Sequence, residues 1–195
     1  AIDRVFAKSR KEIPVAVSAT IEAMGTMLAG QSVEALAAAL GHRKLLYLGL
    51  NCATGPAFMT DHLRSLAAQA PFRVSCVPNA GLPDSNGTYL ETPEMVASVV
   101  QRFLEQGWLN VIGGCCGTTA AHIRALSRVA QAHSPRTLPS LAARKSLLSG
   151  IDPLEIDEGT RPILVGERTN VIGSKKFKET IIAGDLEKAV EVARA

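Results

Sequence analysis

Aromatic residues, cysteines and clustered charge are scarce in this chain of 195 residues, and each scarcity excludes a class of protein. Aromatics make up 4% of the sequence, which disfavours an all-β sandwich and suits the small aliphatic interior of an α/β protein. Four cysteines are too few for a disulfide scaffold. The net charge is +3 and the basic residues are scattered, so the sequence gives no support for nucleic-acid binding.

Long apolar segments are also missing. No stretch approaches the roughly 18 consecutive apolar residues that a transmembrane helix requires, and the N-terminus lacks the pattern of a secretory signal peptide. We therefore expect a cytoplasmic protein without a membrane partner. In a reducing compartment, cysteines serve metal binding or catalysis more often than disulfide formation.

Apolar runs alternate with amphipathic segments along the first two thirds of the chain. Strands are predicted at 14–20, 45–51, 73–79 and 109–114, each followed by a helix, at 32–40, 57–70, 92–105 and 120–132. Four successive βα units indicate parallel strands joined by right-handed crossovers. A doubly wound sheet and a (β/α)8 barrel share this pattern. The chain contains neither G-x-G-x-x-G nor G-x-x-x-x-G-K-[ST], so the barrel is favoured.

The predicted organisation has three parts. Residues 1–133 contain four strands, which is half of a barrel, so we expect the chain to be a fragment of a longer protein. Residues 134–161 are predicted to be a linker, because Pro and Gly residues interrupt the pattern there. Residues 162–195 are predicted to open a second domain with a strand at 162–170 and a helix from Asp185. The fold class is therefore α/β.

Three cysteines follow predicted strands. Cys52 comes directly after the second strand, and Cys115 and Cys116 follow the fourth, within the segment Gly-Gly-Cys-Cys-Gly at 113–117. Active sites of β/α barrels lie at the carboxyl ends of the strands, so we expect the three side chains to share one face. Neighbours in a regular strand point to opposite sides, so the adjacent pair binds one ion only where the backbone leaves extended geometry. The surrounding glycines permit that departure.

Three thiolates on one face predict a zinc site. Soft sulfur donors select zinc over hard cations, and three protein ligands leave a fourth position for substrate, whereas structural sites have four. Because three thiolates donate much negative charge, the metal is a poor generator of hydroxide and suits a substrate thiol better. The predicted reaction is alkyl transfer to sulfur. Asn79, at the end of the third strand, is a candidate fourth ligand or substrate contact, and an ordinary turn role fits its neighbours equally well.

Other uses of the thiols are compatible with the sequence. A lone cysteine is most often a small buried hydrophobe, and Cys76 in the third strand fits that description. A disulfide between Cys115 and Cys116 would close a strained ring, which a reducing compartment opposes. A closed structural zinc site, or packing alone, would make the segment noncatalytic.

Three motifs resemble the cobalamin-dependent methionine synthases. They are Gly49–Pro56 (GLNCATGP), Pro78–Pro83 (PNAGLP) and Gly113–Thr119 (GGCCGTT), and they match the second half of the homocysteine-binding barrel of that family. The segment Val165–Ser174 (VGERTNVIGS) resembles the first strand and turn of the pterin-binding barrel that follows. The resemblance implies that residues 1–133 are the C-terminal half of one TIM barrel and that residues 162–195 begin a second one.

The resemblance also implies a methyltransferase that makes methionine. Cys52, Cys115 and Cys116 would bind zinc, the sulfur of homocysteine would take the open position, and Asn79 would lie beside the metal. Methylcobalamin would be the immediate methyl donor and 5-methyltetrahydrofolate the ultimate one. The residues implied in folate binding are Glu167, Asn170, Ser174, Lys175, Lys176 and Phe177.

In that family, cobalamin is bound by a module absent from this sequence, so the remaining modules of the full-length enzyme are expected partners. We expect the half barrel alone to be inactive, because its strand edges are unpaired and its core is open. The double-cysteine motif also fits homocysteine methyltransferases that use betaine or S-methylmethionine. The segment 165–174 favours the cobalamin-dependent family over them.

Overall fold

The computed structural model of the protein describes residues 2–139, 146–160, 162–163 and 169–194. The chain separates into two compact units, residues 1–156 and 157–195. The larger unit contains, in order, α1 Ile2–Ser9, β1 Ala16–Ala19, α2 Val33–Leu40, β2 Tyr47–Cys52, a 3₁₀ turn Pro56–Met59, α3 Thr60–Gln69, β3 Arg73–Pro78, α4 Pro93–Glu105, β4 Val111–Ile112, α5 Ala120–Gln131, β5 Ser146–Ser149 and β6 Pro153–Ile156. The smaller unit contains a 3₁₀ turn Glu158–Thr160, α6 Lys175–Ile182 and α7 Leu186–Arg194.

The first four strands form one sheet in the order β1-β2-β3-β4, and all three neighbouring pairs are parallel. One row of the register runs through Ser18, Gly49, Ser75 and Val111. The predicted α/β class and the parallel four-stranded sheet are confirmed. Because the strands are parallel, their carboxyl ends lie at one edge, which is where the cysteines were expected.

The core lies between the sheet and its helices. Leu48, Leu50, Val74 and Cys76 are fully buried, and their period of two along β2 and β3 places them on one face of the sheet. Helix residues pack against them; the most deeply buried are Leu63, Leu66, Val96, Val100 and Phe103. The opposite row of the sheet carries smaller or polar residues. The alternation of apolar and other residues along β2 and β3 therefore indicates which face of the sheet packs against the helices.

Two helices begin at a residue whose side-chain hydroxyl caps the first turn. The Ser32 hydroxyl accepts a hydrogen bond from the backbone N–H of Ala35 at 3.2 Å, and the Thr92 hydroxyl accepts one from Met95 at 3.3 Å. Pro93 occupies the first turn of α4, where its missing N–H has no cost.

Among the described residues, no helix combines the length and apolar character needed to cross a bilayer.

The helix predicted at 57–70 differs at its start. It begins as the 3₁₀ turn Pro56–Met59 and becomes α-helical at Thr60. Phe58, which helical spacing places on the inner face, is 62% exposed, whereas Met59 is 3% exposed. A 3₁₀ turn has three residues per turn, so positions read from an α-helical period are rotated away from the core.

Two strands lie inside the predicted linker 134–161. β5 and β6 pair antiparallel, and this hairpin packs on α2: the Ser149 hydroxyl donates to the carbonyl of Ala35 at 2.7 Å, and the N–H of Ser32 donates to the carbonyl of Ile151 at 2.9 Å. The sequence pattern missed these strands because each has four residues and the turn between them contains Gly150.

Arg136 also lies in the predicted linker, yet its side chain is only 7% exposed. Its guanidinium donates hydrogen bonds to the carbonyls of Ala67, Ala70 and Phe72, around the carboxyl end of α3. Desolvation by burial lowers the pKa of this side chain. The segment that leaves α5 is therefore docked on the larger unit through a buried cation at a helix terminus.

The smaller unit was only partly predicted. The helix expected from Asp185 is present as α7, and the Asp185 carboxylate accepts a hydrogen bond from the N–H of Lys188 at 3.1 Å. α6 was not predicted, because its lysine-rich sequence shows no clear apolar period. Most of the strand predicted at 162–170 falls outside the described residues.

Candidate metal centre

Three cysteine sulfurs converge at the carboxyl edge of the sheet. Cys52 is the last residue of β2, and Cys115 and Cys116 follow β4. The Sγ–Sγ distances are 2.7 Å between Cys52 and Cys115, 3.8 Å between Cys52 and Cys116, and 3.9 Å between Cys115 and Cys116. All are thiols. The cluster spans two strand ends and could hold a metal ion.

The spacing of the sulfurs suits zinc. In a tetrahedron with Zn–S bonds of about 2.3 Å, two sulfurs lie about 3.8 Å apart. Two of the three distances match this value, and the pair formed by Cys52 and Cys115 would open by about 1 Å to admit the ion. Among the described residues, the cluster contains no fourth Cys, His, Asp or Glu. Three sulfur donors with one open position are the arrangement of a catalytic site.

The backbone around Cys52 is turned away from strand geometry. Cys52 has φ of 58° and Ala53 has φ of 51°, both in the left-handed region that costs a residue other than glycine about 1–2 kcal/mol. The side chain of Asn51 braces this end of β2: its carbonyl oxygen accepts from the Ser18 hydroxyl at 2.5 Å, and its amide donates to the Thr20 hydroxyl at 3.4 Å. With this turn at the end of β2, the Cys52 sulfur lies within 4 Å of the other two.

The adjacent cysteines also lie outside regular strand. β4 ends at Ile112 and not at 114 as predicted, so both side chains are free of strand alternation. Gly117 has φ of 77°, and a Cβ on it would collide with the ring of Tyr89. Only glycine fits this position. The expectation that the pair leaves extended geometry is confirmed.

The loop after β3 forms a template for the two cysteines. The N–H of Cys115 donates to the carbonyl of Pro78 at 2.8 Å, the N–H of Cys116 donates to the side-chain oxygen of Asn79 at 3.0 Å, and the N–H of Ala80 donates to the carbonyl of Cys116 at 2.9 Å. The Asn79 amide also donates to the carbonyl of Ala53 at 3.4 Å. Asn79 therefore contacts both cysteine-bearing loops; its predicted contact with metal or substrate stays a prediction.

Hydrogen bonding between the thiols shifts their pKa values in opposite directions. The hydrogen bond with Cys115 is the main cause that lowers the pKa of Cys52, and Asn51 and Cys116 act in the same direction. The pKa of Cys115 rises to about 11, first through its hydrogen bond to Cys52 and then through burial. Of the two, Cys52 is thus the thiol whose deprotonation its surroundings favour. A cation at the cluster would favour deprotonation of both.

Cys76 does not belong to this cluster. It is fully buried in β3, its thiol donates to the sulfur of Met59 at 3.9 Å, and burial raises its pKa to about 12. The prediction that it is a small buried hydrophobe is confirmed.

Two further residues beside the cluster were missed. The ring of Tyr89 lies over Gly117, and its pKa is raised first by desolvation and then by the nearby cysteines, Cys116 foremost. The Glu91 carboxylate lies against Gly55 and Gly81, and desolvation raises its pKa. Both residues lie between the predicted strand at 73–79 and the predicted helix at 92–105, where no periodic spacing indicates them.

The residues implied in folate binding lie in the smaller unit. Glu167 is outside the described residues. The side chain of Asn170 accepts a hydrogen bond from the N–H of Ile172 at 2.8 Å, and the hydroxyl of Ser174 caps α6 by accepting from Phe177 at 3.2 Å. Lys175, Lys176 and Phe177 form the first turn of that helix; both lysines are exposed.

One solved structure is similar to part of this chain. The crystal structure of the homocysteine methyltransferase MmuM from Escherichia coli, in its oxidized form, matches with a TM-score of 0.46 and 24% sequence identity. The match covers 65% of this chain and 39% of that protein, so the chain spans less than two thirds of its relative. A sequence profile of the homocysteine S-methyltransferases matches residues 1–130. This chain therefore belongs to the homocysteine S-methyltransferase family.

Proposed function

We propose that the chain provides the zinc site of a methyltransferase that transfers a methyl group to the sulfur of homocysteine and forms methionine. Cys52, Cys115 and Cys116 are the proposed ligands. The observation that carries the proposal is the convergence of three thiols from two strand ends, with no fourth protein ligand among the described residues. Membership in the homocysteine S-methyltransferase family supports homocysteine as the substrate.

The chain's own residues prepare the site in three ways. The turn at Cys52 and the hydrogen bonds from the loop after β3 hold the three sulfurs close together. Zinc, when bound, would lower the pKa of the homocysteine thiol so that it reacts as a thiolate near neutral pH. Asn79, beside Cys116, is the proposed contact of the substrate or of the metal before substrate binds.

For the methyl donor we propose methylcobalamin, with 5-methyltetrahydrofolate as the ultimate source. Support comes from the segment 165–174, which resembles the start of a pterin-binding barrel, and from the exposed lysines that open α6. A helix N-terminus with two cations favours the carboxylates of a folate tail. The proposed folate contacts are Glu167, Asn170, Ser174, Lys175, Lys176 and Phe177. The remaining modules of the methionine synthase would be partners, and the chain alone is proposed to be inactive.

A second candidate differs only in the donor. The family match ends at residue 130, before the segment that resembles a pterin-binding barrel. Residues 1–130 are therefore equally compatible with betaine or S-methylmethionine as donor. Saturable binding of 5-methyltetrahydrofolate to a chain extended beyond residue 195 would favour the cobalamin-dependent enzyme, and its absence would favour the alternative.

X-ray absorption at the zinc edge tests the proposed site. We expect one zinc per chain with three sulfur neighbours, and a fourth sulfur after homocysteine is added. Replacement of any of the three cysteines by serine is expected to lower zinc content, whereas Cys76→Ser is the control that retains it. A shell of four protein ligands that homocysteine leaves unchanged would indicate a structural zinc site and refute the catalytic proposal.

A further inference from the structure

His122 joins two parts of the molecule that flank the cysteine cluster. It lies in the first turn of α5, the helix that follows Cys116, and only 6% of the residue is exposed. Its Nδ1 accepts a hydrogen bond from the backbone N–H of Thr119 at 3.1 Å, and its Nε2 lies 2.9 Å from the backbone carbonyl of Glu91. One buried imidazole therefore contacts both the turn that carries Cys116 and the loop that follows β3.

The two contacts determine which ring nitrogen of His122 carries the proton. A backbone N–H can only donate, so the N–H of Thr119 requires a lone pair on Nδ1 and the ring is neutral. The proton is then on Nε2, which donates to the carbonyl of Glu91. His122 thus accepts a hydrogen bond from one segment and donates one to the other.

The loop at residues 80–91 folds back on itself and returns to its own start. Its two arms meet in an antiparallel bridge between Pro83 and Tyr89, and the N–H of Glu91 donates to the carbonyl of Ala80 at 3.2 Å. The ring of Tyr89, on the returning arm, packs against the turn that carries the paired cysteines. A contact that holds Glu91 therefore also holds this ring in place.

The hydrogen bonds between the loop and the turn form a closed path. From Thr119 the path runs through the imidazole of His122 to the carbonyl of Glu91, and from the N–H of Glu91 to the carbonyl of Ala80. The N–H of Ala80 then donates to the carbonyl of Cys116 at 2.9 Å, which returns the path to the turn where it began. In this path the imidazole is the one side chain, so it is the link that a substitution can remove.

We propose that His122 is a positioning residue whose imidazole, with its proton on Nε2, holds the 80–91 loop against the turn of Cys115 and Cys116 and so keeps the Cys116 sulfur in place for the metal ion. The inference rests on the proposed zinc site. β4 ends at Ile112, so the strand ladder does not fix the paired cysteines, and contacts from outside the sheet have to do so. His122 is not a ligand itself, because its ring nitrogens lie outside the cluster of converging sulfurs.

Two substitutions separate the two ends of the imidazole. The side-chain oxygen of asparagine reaches about as far from the backbone as Nδ1, so H122N can still accept from the N–H of Thr119 but cannot reach Glu91. Glutamine reaches about as far as Nε2, so H122Q can still donate to the carbonyl of Glu91 but places no acceptor at Thr119. The proposal requires that H122Q, and not H122N, preserves the metal site.

The chain contains a matched control at the other end of the same helix. His133 follows α5, and its Nδ1 lies 2.7 Å from the carbonyl of Val129, one helical turn earlier. This contact stays within the helical segment and reaches neither the 80–91 loop nor a cysteine. H133A therefore removes a partly buried imidazole without removing a link to the metal site.

The test compares H122A, H122N, H122Q and H133A with the unmodified chain. Circular dichroism and thermal denaturation check folding, and competition with a chromophoric chelator measures zinc affinity. Hydrogen–deuterium exchange measures the protection of the 80–91 loop without any metal. We expect H122A and H122N to show faster exchange in this loop and to bind zinc about 10-fold more weakly. Their cobalt forms should have altered sulfur-to-cobalt charge-transfer absorption, because the Cys116 sulfur moves. H122Q and H133A are expected to retain loop protection and zinc affinity.

Other outcomes would overturn the proposal in distinct ways. Unchanged zinc affinity and cobalt absorption in H122A would refute the positioning role while leaving the zinc site intact. Loss in H122Q with retention in H122N would show that the helix cap matters and the link to Glu91 does not. Equal loss in all three variants would assign the effect to packing of the ring and refute the link as well. If H122A does not fold, the comparison of H122N with H122Q decides.

The zinc site and the role of His122 fail separately in this design. Failure of the unmodified chain to bind zinc would refute the proposed function itself. Loop exchange in H122N and H122Q, measured without metal, would then still show whether the imidazole holds the 80–91 loop. Equal exchange in these two variants and in the unmodified chain would refute that contact whatever the outcome for zinc.

Discussion

At the scale of single residues, the cysteine cluster depends on a glycine that packs under an aromatic ring. Gly117 combines a positive φ with a position where Tyr89 leaves no room for a side chain. Gly87 has nearly the same φ, 79° against 77°, but nothing lies within 4 Å of the place its Cβ would occupy. The pair separates the effect of backbone conformation from that of the ring.

We predict that Gly117→Ala is more destabilising than Gly87→Ala. The φ penalty of about 1–2 kcal/mol applies to both, and the collision with Tyr89 is added only at Gly117. Urea denaturation gives the two free energies of unfolding, and zinc titration shows whether the shift at residue 117 reaches the cysteines. Equal destabilisation with unchanged zinc affinity would contradict the proposed contact.

The buried thiol of Cys76 gives a pH-dependent prediction. Its pKa is raised from 9.0 to about 12 in the folded protein, so above pH 9 the unfolded chain loses this proton while the folded chain keeps it. Folding stability is therefore complete below pH 9 and falls as pH rises toward 12. We predict that this group lowers the free energy of unfolding by about 1 kcal/mol between pH 8 and pH 10.

The comparison with Cys76→Val isolates that effect, because valine fills a similar volume and does not titrate. Urea denaturation of both proteins at pH 8 and pH 10 gives the difference in free energy of unfolding. As pH rises, the free energy of unfolding of Cys76→Val should increase relative to that of the parent chain. A difference that stays constant across this range would mean that the thiol ionises in the folded state.

At the scale of elements, the end of α3 is held by Arg136 from the segment that follows α5. We predict that Arg136→Met lowers the free energy of unfolding by on the order of 2–4 kcal/mol, because several carbonyls lose a charged donor at once. The control is Arg64→Met, a substitution on the surface of α3 itself. Its side chain is 62% exposed and pairs with Asp61, so it should cost under about 1 kcal/mol. Thermal denaturation that gave both variants the same loss would refute the docking role of Arg136.

The elements that could be predicted from the sequence are those whose signals are local. Ser32 and Thr92 mark helix starts by their capping chemistry, and the alternation of Leu48 and Leu50 marks a strand with one face in the core. The 3₁₀ turn that exposes Phe58 could not be predicted, because its residues suit an α-helix equally well. The hairpin β5–β6 is fixed by contacts with α2, which are distant in sequence.

The candidate site likewise has features that could be predicted from the sequence and features that could not. That Cys52 and the Cys115–Cys116 pair share one edge could be predicted, because parallel strands end at the same edge of a sheet. The positions of Tyr89 and Glu91 could not be predicted, because the path of a loop depends on what it packs against. Neither residue belongs to a periodic pattern. The same holds for the hydrogen bonds of Asn79, whose sequence context shows only a turn.

At the scale of the whole molecule, the sheet has two edges. β1 pairs only with β2, and β4 pairs only with β3, among the described residues. Unpaired strand edges promote association between chains. We predict that the isolated chain self-associates and that Ala16→Lys, which places a charge on β1, raises the monomer fraction in light scattering after size-exclusion chromatography. Ser98→Lys, on the exposed surface of α4, adds the same charge and should have no such effect. Equal behaviour of the two variants would exclude the β1 edge as the contact.

The separation of the cysteines along the chain has a consequence for how the site assembles. Cys115 and Cys116 are neighbours, but Cys52 is 63 residues from Cys115. An unfolded chain thus offers an ion two adjacent sulfurs, and the third arrives only when β2 and β4 take their places on either side of β3. Bound zinc would then act as a cross-link that closes a long loop. Binding of the third sulfur ligand would therefore be coupled to the assembly of β2, β3 and β4 into the sheet.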